Sequence, residues 1–297
     1  MTTLAAVAAN FTRDLEDNYR VIADHVERAR AAGVDFLVFP EAAIGGYLSS
    51  LGNHGDTVAT TSRSLPPAIS LDGPEIKRVQ AIAGDMLIAI GFCELAEDGV
   101  TRYNAAAVLD GERIYGSYRK VHQPLGENMS YSAGTGYGVF DTPVGRVGLQ
   151  ICYDKAFPEA ARIMALQGAE IIASLSAWPA ARTATAENLQ EDRWTYRFNL
   201  FDTARALDNQ VFWIAANQSG TFGSLRYVGN ARSSIPVATY WIPPSSQRDG
   251  RRRGRHRRHL HRHARRHVPS ARPTARCLRA HHRHRGSRVA GTRSCLR

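Results

Sequence analysis

Three short segments carry side chains that, brought together, could open an amide. Phe39-Pro40-Glu41 puts a carboxylate directly after an apolar run. Tyr118-Arg119-Lys120-Val121-His122 puts a lysine after a second run, and Ile151-Cys152-Tyr153-Asp154 puts a cysteine after a third. Amide hydrolysis needs a nucleophile stronger than water, an acid for the departing nitrogen and a site for negative oxygen. A cysteine can be the nucleophile, and a lysine beside it can hold an oxyanion or lower the thiol pKa. Each residue alone also has a plainer reading. A strand-end glutamate caps or is solvated, and a strand-end lysine lies on the surface unless a cysteine stands beside it. His122 reads as a base or as a structural imidazole. Cys152 reads as a small buried hydrophobe, or as a nucleophile on a sharp bend whose following N–H faces a bound oxygen.

The elements that must hold these residues alternate strand and helix signals. Leu4–Ala8 is a short apolar strand. Leu15, Tyr19, Ile22 and Val26 recur at three- and four-residue steps, which predicts an amphipathic helix ending near Gly33. Phe36–Phe39 is a buried strand stopped by Pro40, and Asp72-Gly73-Pro74 opens a helix with proline at its first position. Met86–Phe92 is a third apolar strand. Asn104–Leu109 and Arg113–Tyr118 flank Asp110-Gly111 as a hairpin. In the second half, Tyr137–Asp141 and Val147–Cys152 are strands around a turn at Pro143–Gly145. Pro158–Gln167 is a helix closed by Gly168, and Ile171–Leu175 is the next strand. A longer helix covers about Asn188 to Leu207 before the strand Val211–Ala216. This order predicts an α/β layered protein with a mixed sheet. Glu41, Lys120 and Cys152 then fall at strand ends, where such sheets collect functional groups.

Taken together, the segments resemble the nitrilase superfamily of carbon–nitrogen hydrolases. Phe39-Pro40-Glu41, Tyr118-Arg119-Lys120 and Ile151-Cys152-Tyr153-Asp154 with Phe157-Pro158-Glu159 match its three signature segments. Gly168-Ala169-Glu170, Ser176-Ala177-Trp178-Pro179, Arg205-Ala206-Leu207-Asp208-Asn209-Gln210 and Ala216-Asn217-Gln218-Ser219-Gly220 extend the match, which covers about residues 1–232. The resemblance implies a four-layer α-β-β-α sandwich that assembles as a homodimer or larger homo-oligomer through its helices. It implies Glu41 as general base, Cys152 as nucleophile, Lys120 as oxyanion stabiliser and Glu127 as a second, substrate-positioning glutamate. No metal or organic cofactor is implied. Tyr153 after the cysteine is similar to amidase and carbamoylase branches, whereas nitrilases usually carry Trp-Glu there. A small amide or N-carbamoyl compound is therefore the expected substrate, with a nitrile as the alternative. Tyr47, Asn128, Tyr153, Phe157 and Trp178 are the candidate substrate-binding residues.

Charge divides the chain. Of 38 Lys and Arg, 17 are arginines in residues 251–297, which hold no acidic residue and no lysine. That leaves 21 basic against 27 acidic residues in 1–250, a net of −6, so the formal +11 belongs to the tail. No stretch approaches the roughly 20 apolar residues of a membrane span. Met1–Asn10 has no basic n-region or long apolar run, which argues against a secretory signal. The four cysteines do not form a disulfide framework, and a cytoplasmic location is expected.

After about Arg232 the pattern of the family stops. The expected strand, of the type Arg-Ile-Val-Asp-Pro-x-Gly, is replaced by Ser233-Ser234-Ile235-Pro236-Val237-Ala238-Thr239-Tyr240-Trp241. One back-translation of these residues, read two bases in, gives Val-Asp-Pro-Gly-Gly-Asp-Val-Leu. A shifted reading frame in GC-rich DNA accounts for this and for the Arg/His-rich composition that follows. The expectation is thus a hydrolase domain at 1–232, incomplete at its C-terminus, and an aberrant, disordered segment at 233–297. The competing account is a basic arm that binds nucleic acid non-specifically, attached to an inactive remnant. The abrupt onset and the missing lysines and acids favour the shifted frame.

Overall fold

The computed structural model describes residues 2–51, 65–124, 126–234 and 239–242. The elements run β1 (Leu4–Ala9), α1 (Leu15–Ala31), β2 (Phe36–Val38), α2 (Pro74–Ala83), β3 (Leu87–Leu95), β4 (Arg102–Leu109) and β5 (Ile114–Arg119). They continue with β6 (Val139–Thr142), β7 (Gly145–Ile151), α3 (Pro158–Leu166), β8 (Ile171–Ser176), α4 (Arg193–Asn209) and β9 (Phe212–Gln218). Short strands close the described chain: β10 (Thr221–Phe222), β11 (Leu225–Arg226), β12 (Arg232–Ser234) and β13 (Thr239–Ile242).

Two sheets form, joined along one seam. The first has the order β5-β4-β3-β2-β1 and the second β9-β8-β7-β6. At the seam the last residues of β1 and β9 pair in parallel, Ala8 with Asn217 and Ala9 with Gln218. Earlier along both strands the sheets diverge. There β13 pairs with Leu4–Val7 of β1, and β12 pairs with Trp213–Ala215 of β9. β1, β2 and β3 are mutually parallel, as are β7, β8 and β9.

Period-two alternation in the strands builds the layers, because successive side chains point to opposite faces. On the first sheet Leu4, Ala6, Phe36, Val38, Leu87, Ala89, Ala106 and Val108 join one core cluster with Val147, Leu149 and Ile151 of β7. Their neighbours Ala5, Val7, Leu37, Ile88, Ile90, Ala105 and Ala107 join a second cluster with the apolar stripes of the helices. Those stripes are Tyr19, Ile22, Val26 and Ala29 of α1 and Ile76, Val79 and Ala83 of α2. Beyond the second sheet, a Cβ on Gly148 would lie 2.7 Å from the Met164 sulfur of α3. Glycine there lets the helix close on the sheet. Both faces of both sheets are covered, and the four-layer α-β-β-α sandwich is the architecture.

Local chemistry explains most boundaries. Asp14 caps α1 by accepting from Asp17 N at 3.0 Å, and Gly33, at φ +67°, ends the turn after it. Pro74 opens α2. Asp110 closes the β4–β5 hairpin by accepting from the N–H groups of Glu112 and Arg113 at 2.9 Å. The long helix expected from Asn188 is instead two pieces, a 3-10 turn at Leu189–Glu191 and then α4. Asp192 divides them: its carboxylate accepts from Trp194 N at 2.8 Å and Ala181 N at 3.1 Å, so the helix restarts after it. Beyond Arg232 the expected structureless segment contributes β12 and β13. The Arg/His-rich stretch, with the readings of it as disordered or nucleic-acid-binding, lies outside the described residues.

Candidate active site

Glu41 leaves β2 through Pro40 and lies flat against β3. A Cβ on Gly91 of β3 would come within 2.5 Å of Ala42 N and 2.7 Å of the Glu41 Cα, so only glycine admits the crossing. Ala42 follows at φ +55°. The carboxylate of Glu41 is fully buried, and both oxygens are held. Oε1 accepts from Lys120 Nζ at 2.9 Å and Asn104 Nδ2 at 2.6 Å, while Oε2 accepts from Ala177 N at 2.5 Å. Its backbone carbonyl accepts from Gln218 Nε2 at 3.0 Å, and Gln218 Oε1 accepts from Phe11 N at 3.0 Å.

Lys120 directly follows β5, its N–H donating to Asn104 O at 2.8 Å. Its ammonium reaches Glu127 as well as Glu41, at 2.7 Å to Oε2 and 3.0 Å to Oε1. Glu127 sits at the start of a one-turn 3-10 helix and accepts from Asn104 Nδ2 at 2.5 Å. Two carboxylates thus share one ammonium and one amide donor, all away from water. Burial raises the Glu127 carboxyl, Lys120 lowers it and Glu41 raises it again, leaving it pushed up to about 7. Burial works against the Lys120 charge, but Glu127 and Glu41 outweigh it and hold the ammonium above its ordinary value.

Cys152 begins a 3-10 turn, Cys152–Ala156, immediately after β7. Its φ of +49° is the left-handed conformation that residues other than glycine rarely adopt, and it bends the chain sharply between strand and α3. Asp154 holds the bend together. Its carboxylate accepts from Ile151 N at 3.0 Å, the Tyr118 hydroxyl at 2.7 Å and His122 N at 2.8 Å. The thiol is buried. Burial and the Glu41 charge push it above its usual range, while Lys120 pulls the other way.

The remaining candidates divide. Tyr47 is buried under the cluster, with the Lys120 ammonium 5.9 Å from its ring centroid. Tyr153 and Phe157 are half-buried and meet edge to face at 5.3 Å. Trp178 is buried, its indole N–H donating to Trp194 O at 3.0 Å, its ring against Trp194, Phe198 and Phe201. Asn128 is exposed on the turn after Glu127, and no hydrogen bond among the described residues joins it to the cluster. His122 is engaged elsewhere: its ring stacks on Phe157 at 3.7 Å, and Nδ1 lies 3.1 Å from Asp154 and 2.7 Å from the Tyr137 hydroxyl.

Sequence reasoning treated Asn104 only as the start of a strand. Its signal was an amide preceding the unbroken apolar run Ala105–Leu109. Two open clefts, of 530 Å³ beside Arg30 and Asp85 and of 930 Å³ beside Glu94 and Arg119, do not include Cys152 in their linings. Among the described residues no group of His, Cys, Asp or Glu has the arrangement of a metal site, and no helix is long and apolar enough to cross a membrane.

A buried carboxylate–ammonium pair whose charges act on a cysteine at a strained strand-end turn suits acyl transfer through sulfur. The model of the carbon–nitrogen hydrolase family matches residues 3–236. The chain belongs to the carbon–nitrogen hydrolase family. It is 27% identical to a nitrilase of Pyrococcus abyssi, over 75% of this chain and 77% of that one. It is 29% identical to a citrullinase of Francisella tularensis, over 80% of this chain and 78% of the relative. An N-carbamoylputrescine amidase of Solanum tuberosum is 32% identical over 58% of this chain and 57% of its own. Solved structures share the fold at lower identity. Nit3 of Saccharomyces cerevisiae, a member of the nitrilase superfamily, superposes with a TM-score of 0.61 at 22% identity, covering 77% of this chain and 80% of its own. An amidase from Nesterenkonia sp. AN1 gives 0.60 at 22% identity over the same shares. Nitrilases, amidases and carbamoyl hydrolases all stand among these relatives, so the family sets the bond type and leaves the substrate open.

Proposed function

We propose that this carbon–nitrogen hydrolase cleaves a small amide or N-carbamoyl compound through a Cys152 thioester, releasing ammonia or an amine. The observation that carries the reading is the meeting of Glu41 and Lys120, 79 residues apart in the chain, at 2.9 Å in a buried cluster whose charges act on the Cys152 thiol. Glu41 takes the thiol proton as sulfur attacks the carbonyl carbon. Lys120 and the Tyr153 N–H stabilise the resulting oxyanion, a role worth roughly 3–4 kcal/mol per donor. The proton held on Glu41 passes to the departing nitrogen, and the acyl group stays on sulfur. Glu41 then deprotonates a water that attacks the thioester, and sulfur leaves with that proton. Glu127, bonded to Lys120, keeps the ammonium charged and aimed.

Tyr153 after the nucleophile supports amide and carbamoyl substrates over nitriles. Tyr47, Tyr153, Phe157 and Trp178 are the aromatic side chains expected to receive the acyl side, with Asn128 a further candidate for substrate contact. Exposed apolar side chains gather on the outer helices: Ile163 and Leu166 of α3 and Tyr196, Leu200 and Leu207 of α4. Tyr196, Leu200 and Leu207 recur at helical spacing, which supports a homodimer formed through this layer.

The test is ammonia release from a panel of small amides, N-carbamoyl amino compounds and nitriles. Amides or carbamoyl compounds are expected to turn over, and Cys152→Ala to reduce release to background. Turnover that survives Cys152→Ala would overturn the mechanism, and nitriles as the best substrates would overturn the branch.

A further inference from the structure

The turn that carries Cys152 holds a second buried cation that the mechanism above does not use. Lys155 is the fourth residue of the turn Cys152–Ala156, and Phe198 and Trp178, which its ammonium approaches, belong to the same buried core cluster as Cys152. The Lys155 side chain is fully buried, and its ammonium donates to Asp202 Oδ1 of α4 at 2.7 Å. Asp202 Oδ1 also accepts from Trp213 Nε1 of β9 at 2.9 Å, while Oδ2 has no hydrogen-bond partner among the described residues. The ammonium lies 3.4 Å from the centroid of Phe198 and 5.8 Å from that of Trp178. Arg205, one turn along α4, donates to Lys155 O at 3.1 Å and Ala156 O at 3.2 Å, tying the same turn to the same helix.

An ion pair this deep is expensive to desolvate, and two apolar side chains of similar volume would hold the turn at least as well. Its placement matters for another reason. The charged and titratable groups acting on Cys152 are Glu41, Lys120 and Glu127, which come after strands of the first sheet, and Lys155 of its own turn. Tyr47 and Tyr227 face the thiol from the loops, and Asp154 belongs to its own turn. Behind Lys155 stand Asp202 and Arg232. Two carboxylates against one ammonium disfavour a thiolate, and Lys155 is the cation that offsets them.

We propose that Lys155, held in place by Asp202, is a positioning residue that fixes the Cys152 turn on α4 and supplies the second positive charge under which the thiolate forms. The inference rests on Cys152 being the nucleophile. Its test is alkylation of Cys152 by iodoacetamide in the full chain, followed at the Cys152 peptide by mass spectrometry as a function of pH. The variants are Lys155→Met alone and Lys155→Met with Asp202→Leu. The single change strands a buried carboxylate and is expected to weaken the fold. The double change removes both charges and carries the test. In the folded double variant the alkylation midpoint is expected to rise by about half to one pH unit, less than the one to three units of a fully uncompensated neighbour. The kcat at neutral pH is expected to fall about three- to tenfold with KM little changed. An unchanged midpoint in the double variant, beside a parent that alkylation inactivates, would overturn the role of Lys155 alone. A parent that keeps its turnover after Cys152 is alkylated would overturn the nucleophile assignment instead.

Discussion

Replacing Glu127 with glutamine tests the electrostatics of the buried cluster most directly. Glu127 and Glu41 share Lys120 Nζ and Asn104 Nδ2, with contacts between 2.5 and 3.0 Å, in a site without exposed surface. Burial, opposed by Lys120 and reinforced by Glu41, moves the Glu127 carboxyl from an ordinary 4.5 to about 7. A shift of about 2.5 units corresponds to roughly 3 kcal/mol. Because the folded chain binds this proton more tightly than the unfolded chain, the contribution is complete below about pH 4.5 and is lost as pH rises through about 7. Glutamine has the same shape, can accept from both donors and cannot ionise. The parent should therefore lose roughly 3 kcal/mol more unfolding free energy than Glu127→Gln between about pH 5 and pH 8. A uniform offset is expected as well, because the new amide nitrogen faces the Lys120 ammonium. The slope against pH is what matters. Urea unfolding of both proteins at several pH values across this window measures it. Parallel curves would refute the raised Glu127 carboxyl and the burial and Glu41 charge argued to raise it.

Two further changes probe how the site is held and how the protein assembles. Gly91→Ala puts a methyl group 2.5 Å from Ala42 N, so the backbone under Glu41 must move. It should cost roughly 1–3 kcal/mol in thermal unfolding and lower kcat well beyond that seen for alanine at an exposed position. An unaltered kcat would show that Glu41 tolerates displacement. Leu166→Glu with Leu207→Glu charges the outer helical face, where these residues are 79% and 56% exposed. Light scattering after gel filtration should show a smaller assembly than the parent, and an unchanged mass would remove this face as the interface.

Much of this arrangement was legible because its signals are local. Tyr19, Ile22 and Val26 mark the buried stripe of α1, with Leu15 half-buried at its start, and Pro74 marks the first turn of α2. Phe39-Pro40-Glu41 and Ile151-Cys152 identified strand ends because an apolar run stops at each. The misses were matters of tertiary context. Asp192 interrupts an otherwise helical pattern: its side chain caps α4 at Trp194 N and is also held by Ala181 N, eleven residues back. Asn104 donates to carboxylates 63 and 23 residues away, a relation no window of sequence contains. Lys155 and Asp202, 47 residues apart, went unremarked in the sequence and become a buried pair when the turn and α4 are packed together.

Parallel strands explain why residues so weak singly make a site together. β2 and β3 run with β1, β1 runs with β9, and β9 runs with β8 and β7, so all six end on one side of the molecule. β5 is antiparallel to β4, which is antiparallel to β3, so the end of β5 and the beginning of β4 reach that side too. Glu41 follows the end of β2, Lys120 the end of β5, Cys152 the end of β7 and Ala177 the end of β8, while Gln218 closes β9 and Asn104 lies near the start of β4. Each then needs only a local device to be aimed: Gly91 for Glu41, Asp154 for Cys152, the amide of Asn104 for the two glutamates. The seam between β1 and β9 fixes the two halves against each other, and Gln218 at that seam binds the Glu41 carbonyl. β12 and β13 pair with the same two strands further back, away from their C-terminal ends. Among the described residues, a change in sequence after Arg232 thus bears first on how firmly the two sheets are splayed and covered, and reaches the candidate site through β1, β9 and the helices that β12 and β13 touch.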